Sequence, residues 1–143
     1  RLQQMVLNLL TNAIKFTPIG GEVTLTAEAD LDGVTVIVAD NGAGISKENL
    51  ARLGQPFELI EDHFGKSLKG AGLGLALSKS LMEMQGGLLA IASQAGRGTV
   101  ACASFPRRRD ARVRLPQFVR AEAHVLTAGP PRPPEPKRIE AAE

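Results

Sequence analysis

Asn8, Asn12 and Lys15 recur at spacings of four and three inside the apolar stretch NLLTNAIKF. On a helix, at about 100° per residue, they fall within an arc of roughly 60°. Leu2, Val6, Leu9, Ala13 and Phe16 take the adjoining face, and Leu7, Leu10 and Ile14 widen it. The helix is therefore core-facing over most of its girth, with one narrow polar stripe. Two amides and an ammonium in line raise the question of a shared site. The same stripe could equally be a solvated edge, so its meaning depends on the rest of the chain.

Three glycine-containing stretches offer further chemistry. DNGAGI, residues 40–45, puts a carboxylate at the end of an apolar run and glycines at alternate positions. Asp40 can accept a hydrogen bond from an exocyclic amine such as that of adenine. Gly42 and Gly44 let the backbone come close to a flat ring, though a tight turn capped by Asp40 has the same pattern. GAGLGL, residues 70–75, leads into a helical pattern. Clustered glycines before a helix N-terminus present free amides and a positive dipole end to phosphate. A dinucleotide fold is excluded, because DHFGKSLK before it is no strand. GKS at 65–67 imitates the end of a P-loop, but Ile60 stands where that motif needs its first glycine. GRGT, residues 96–99, alone reads as a hairpin loop.

These residues need elements to position them. The opening helix spans 1–16 and stops at TPIGG. EVTLTAEA, 22–29, alternates as a strand, LDG turns, and VTVIVAD, 34–40, is a more buried strand, giving a hairpin. SKENLARL predicts a short helix over 46–53. Residues 54–71 have no clear period and read as a long loop, uncommon inside a domain unless functional or disordered. A helix follows over about 73–85, stopped by Gly86 and Gly87. LLAIAS and TVACASF flank QAGRG as a final hairpin.

The composition narrows the function. The chain has 143 residues, enough for one domain and a tail. Aromatics make up 3 %, with no Trp or Tyr, which argues against base stacking on aromatic platforms. The single cysteine, Cys102, excludes an internal disulfide framework and reads as core. No apolar run reaches the roughly 18 residues that span a membrane, and no signal peptide is visible. The chain opens at Arg1 in mid-pattern and reads as a piece of a longer protein. Residues 1–106 carry 8 Lys+Arg against 10 Asp+Glu, whereas 107–143 carry 9 against 5. The basic pI belongs to the tail, and the body has no nucleic-acid footprint. Six of the nine prolines also lie in the tail. Residues 107–143 are expected to lack a packed core, with local order only around RVRLPQFVR.

In this order the stretches resemble the catalytic and ATP-binding domain of sensor histidine kinases, in the superfamily shared with gyrase, Hsp90 and the mismatch-repair ATPases. NLLTNAIKF is similar to its N box, DNGAGI to its G1 box, QPFE to its F box, GAGLGL to its G2 box and GRGT to its G3 box. LGQPFE with GLGLALSKSLMEMQGG is also similar to the PleC/DivJ-like kinases of alphaproteobacteria. The resemblance covers about residues 1–106. It implies an α/β two-layer sandwich of the Bergerat/GHKL type, three helices over a mixed sheet, without the first N-terminal strand. It also implies that ATP and Mg²⁺ bind here. Asn12 would hold the metal, supported by Asn8, and Lys15 would face the phosphates. Asp40 would take the adenine amine, with Thr99 assisting through water, and Gly42, Gly44 and Ile45 lining the pocket. Gly70, Gly72 and Gly74, with the amides of Leu73 and Leu75, would bind phosphate. Residues 46–71 would form a lid, packed by Phe57 and reaching phosphate through Lys66 or Lys69. Ala71 replaces the usual Thr of the second glycine box.

One residue separates branches of the superfamily. Members that hydrolyse ATP carry a Glu as base one turn before the metal-binding Asn, and here that position is Asn8. An amide is no useful base. The resemblance therefore implies transfer of the γ-phosphate to a histidine. His63 is followed by Phe64 and His124 by Val125, so neither matches the acidic residue and helical context that the resemblance implies for a phosphoacceptor. The acceptor is expected on a dimerisation domain of the same protein upstream, in a homodimeric parent that serves a response-regulator receiver domain. An anti-sigma-type serine kinase and a degenerate binding module are the rivals. The fragment is expected to be cytoplasmic, whether or not its parent is membrane-anchored.

Overall fold

The computed structural model describes residues 2–53, 71–108, 115–120 and 124–125. Helix α1 spans Leu2–Phe16 and buries Met5, Leu9 and Ala13, one residue per turn. It stops where the Thr17 hydroxyl donates to the Ala13 carbonyl at 2.6 Å and Pro18 follows with no amide to offer. Strands β1 (Val23–Ala29) and β2 (Gly33–Asp40) form the expected hairpin. Its turn is held by Asp30, whose carboxylate accepts from the amides of Asp32 and Gly33 at 2.9 Å each. Helix α2 (Lys47–Arg52) is capped by Ser46, whose Oγ accepts from the Asn49 amide at 3.3 Å.

Helix α3 spans Ala71–Gln85, two residues longer at its start than the apolar period predicts. It ends at Gly86, which has φ +66°, a left-handed conformation that suits glycine. Strands β3 (Leu88–Gln94) and β4 (Gly98–Pro106) follow as a hairpin. Beyond them lie a short helix α4 (Gln117–Arg120) and a two-residue strand β5 (His124–Val125).

The strands form one sheet in the order β1-β2-β4-β3-β5. Every pairing among the described strands is antiparallel, so the mixed character expected of the sheet is absent among them. Two hairpins meeting through inner strands of opposite direction leave no parallel neighbour. The expected layering of helices on a sheet is present.

The two faces of the sheet follow from the register. Val38, Ala101 and Ile91 lie opposite one another across β2, β4 and β3. They join Met5, Leu9 and Ala13 of α1, Leu50 of α2 and Leu75 and Met82 of α3 in the main core. On the other face Ile37 and Cys102 pack against Val119, with Leu115, Ala92 and Val100 around them. Residues from the sequence beyond 106 therefore cover the back of the sheet, and β5 pairs Val125 with Ala90 and His124 with Ile91. Burial pushes the Cys102 thiol up to about 11, against a lowering hydrogen bond from Ser104. That thiol is protonated at neutral pH.

Candidate functional site

The main core ends in a polar row. One step beyond Val38, Ala101 and Ile91, the register sets Asp40 of β2 opposite Thr99 of β4, and Thr99 opposite Ser93 of β3. Directly opposed residues share a face, so all three side chains rise on the helix side of the sheet. Asp40 Oδ1 accepts from the Gly42 amide at 2.9 Å, and the Thr99 backbone amide also bonds the carboxylate. Burial raises the Asp40 pKa above 3.8, and these two amides only partly offset it. Ser93 Oγ accepts from the Ile45 amide at 2.8 Å and donates to the Gly98 carbonyl at 2.8 Å. It lies 2.8 Å from Thr99 Oγ1.

The glycine loop 41–45 is wedged between α1 and the last hairpin. The Ala43 amide donates to the Phe16 carbonyl at 3.2 Å, and the Gly96 amide donates to the Ala43 carbonyl at 2.6 Å. A Cβ on Gly42 would strike the Phe16 carbonyl, and one on Gly44, at φ +67°, would strike the Gln94 carbonyl. These glycines are thus required by neighbouring backbone, in addition to any flat ring they line. Gly98, at φ +94°, abuts the Asp40 carbonyl in the same way. Asn41 fastens the other side, accepting from the Glu22 amide at 2.8 Å.

The stripe on α1 is split in use. Asn8 Nδ2 donates to the Gly74 carbonyl and to Ser78 Oγ, both at 3.3 Å, while its Oδ1 accepts from Gln4 at 3.3 Å. Asn8 is therefore a tether from α1 to α3, and Ser78, fully buried, returns to Gly74 at 2.9 Å. Asn12 is half-buried one turn on, and Lys15 is exposed with its Nζ 5.8 Å from the Phe16 ring centroid. Asn12 precedes Phe16 by four residues, about 6 Å along the axis, and Phe16 touches the glycine loop. The stripe thus runs from the start of α3 to the edge of the loop.

A family model described as "Histidine kinase-, DNA gyrase B-, and HSP90-like ATPase" matches residues 1–109. The chain belongs to this family. The "Non-motile and phage-resistance protein" of Caulobacter vibrioides is 47 % identical over 124 residues, which are 84 % of this chain and 15 % of that protein. "Histidine protein kinase DivJ" of the same species is 46 % identical over 73 % of this chain and 17 % of its own length. Among solved structures, full-length ShkA in complex with AMPPNP superposes with a TM-score of 0.60 at 36 % identity, over 73 % of this chain and 21 % of ShkA. The chain thus spans about a sixth of the curated relatives it matches. It is an ATPase domain of the histidine-kinase type, with the helix-on-sheet fold of that group.

Apart from Asn12 and Lys15 on α1, the expected site residues of this ATPase domain are distributed as follows. Asp40, Gly42, Gly44, Ile45 and Thr99 come together around the end of the sheet. Asn8 and Gly74 meet across α1 and α3, and Gly72 and Leu73 lie in the first turn of α3. There the first amides have no intrahelical partner. Leu75 is the fifth residue of α3, and its side chain is core. Phe57, Lys66, Lys69 and Gly70, with His63, lie outside the described residues. Ser93, Ser78 and Gln4 were not anticipated. Alternation along β3 puts Ser93 in the plane of Thr99 once the hairpin register is fixed, and that register is the signal that could have found it.

The donor set fits a magnesium ion bound jointly with a nucleotide. Asn12 offers one hard oxygen at the middle of the stripe. Among the described residues no group of three His, Cys, Asp or Glu gathers to cage a metal alone. Mg²⁺ takes few protein ligands and completes its shell with water and phosphate oxygens.

Proposed function

We propose that this domain binds ATP with Mg²⁺ and transfers the γ-phosphate to a histidine on a dimerisation domain of the same parent protein. A response-regulator aspartate is the next acceptor, and the parent works as a homodimer. Bound ATP supplies the phosphoryl group, and its metal neutralises charge on the phosphate oxygens. The protein's part is positioning. Asp40 and Thr99 take the adenine edge at the end of the sheet. Asn12 holds the metal, Lys15 stands one turn further towards the glycine loop, and the first turn of α3 offers its amides to phosphate.

The observation that carries the reading is Asn8. Its nitrogen is committed to Gly74 and Ser78 and its oxygen to Gln4, and an amide does not take a proton at neutral pH. Water is therefore not activated from this position, and ATP is kept for an external nucleophile. The experiment mixes this chain, radiolabelled ATP and Mg²⁺ with a separately made histidine-bearing helical domain of the parent. Acid-labile label on that partner is the expected result. Acid-stable label would point to serine transfer, and an absence of ATP binding would reduce the domain to a binding scaffold.

A further inference from the structure

Ser93 is a hydroxyl with all its capacity spent. A serine hydroxyl has one proton and two lone pairs. One lone pair accepts from the Ile45 amide, and the proton goes to the Gly98 carbonyl, which can only accept. The contact at 2.8 Å to Thr99 Oγ1 can then be made in one sense only, with Thr99 donating and Ser93 accepting. Thr99 therefore has no proton left for anything else. Beside it, Asp40 is a carboxylate held by the amides of Gly42 and Thr99. Both groups lie in one row across the strands, on the helix side.

We propose that Ser93 is a positioning residue that sets base specificity: by taking the Thr99 proton it leaves Thr99 and Asp40 as a pair of acceptors, matched to the 6-amino group of adenine and opposed to a 6-oxo group. The inference rests on the nucleotide reading given above and deepens it. Ser93 need not touch the nucleotide. It acts through the direction of one hydroxyl and through the Ile45 amide, which anchors the glycine loop. Without Ser93, the Thr99 hydroxyl is free to turn and donate to a carbonyl at position 6.

The test measures equilibrium binding of ATP and of inosine triphosphate, which differ in hydrogen-bond sense at position 6, to this chain with Mg²⁺. The unmodified protein should favour ATP by roughly 100-fold, since a mismatched polar pair is costly when half-buried. Ser93→Ala should shrink that ratio about tenfold, whereas Ser93→Thr, which keeps the hydroxyl, should preserve it. Thr99→Val should shrink it as well, and adding Ser93→Ala to Thr99→Val should change it no further. A purely structural Ser93 would weaken both nucleotides together, and an unchanged ratio in Ser93→Ala would overturn the proposal while leaving the nucleotide site intact. Failure of the unmodified protein to bind either nucleotide would instead overturn the site itself. If Ser93→Ala does not fold, Ser93→Cys gives the same readout, since a thiol donates and accepts only weakly.

Discussion

The two faces of the sheet are built to different ends. On the helix side the core of Val38, Ala101 and Ile91 gives way, two residues further along the strands, to Asp40, Thr99 and Ser93. On the other side Ile37 and Cys102 are closed off by Val119, with Leu115 beside it. The first face places polar groups at the margin of a hydrophobic layer, where partial burial strengthens their interactions and strains their ionisation. The second only excludes water. Substitutions in the polar row and on the back face should therefore fail in different ways.

The largest effect is expected from Asn12→Ala, which should lower phosphate transfer to the histidine domain on the order of 10³-fold with little change in thermal stability. Retained transfer in that variant would break the assignment of the metal to α1. Next, Asp40→Asn should weaken ATP binding roughly 10- to 100-fold, measured with a fluorescent ATP analogue. Asp40 also predicts a pH dependence. Its folded pKa is raised by burial, so its contribution to stability is present below the unfolded value and is lost as pH rises through the folded one. The ionised form that accepts the adenine amine is lost in the opposite direction. ATP affinity should therefore fall on acidification with a midpoint above 3.8, and Asp40→Asn should lack that limb.

Smaller effects sharpen the contrast. Gly98→Ala should cost about 1–3 kcal/mol in urea unfolding, because it combines a left-handed backbone with a Cβ against the Asp40 carbonyl. It should also weaken ATP binding, since the same loop carries Thr99. Val119→Ala should cost about 1–2 kcal/mol and leave ATP affinity unchanged. It should speed labelling of Cys102 by a thiol reagent at alkaline pH, the thiol being held up at about 11 in the intact fold. A Val119 variant that lost ATP binding would show the two faces to be coupled.

Much of the helix side was legible in the sequence. The period of α1, the alternation of β1, the apolar run of β2 and the glycine stops are local signals, and the observed elements begin and end within about two residues of those expected. The carboxylate at the end of β2 and the threonine after the last glycine pair were readable for the same reason. Other features were not. The two extra residues at the start of α3 carry no apolar signal of their own. The tether from Asn8 to Gly74 and Ser78 depends on the packing of α3 against α1, which no local spacing reveals. The cover of the back face was only hinted at by the local order expected around RVRLPQFVR, since Leu115 and Val119 are too few to show a period.

The sequence alone determined which residues could carry charge, metal oxygen and backbone freedom, and in what order, because residue type and local spacing are written in the chain. It also determined the absence of a carboxylate base at position 8. The tertiary structure decided which of those groups meet. The pairing of β4 with β2 and β3 set Asp40, Thr99 and Ser93 in one row, and brought the Ser93 and Thr99 hydroxyls to 2.8 Å. Hydrogen-bond sense depends on every neighbour's remaining donors and acceptors, and those neighbours are brought together by strand register between residues far apart in the chain.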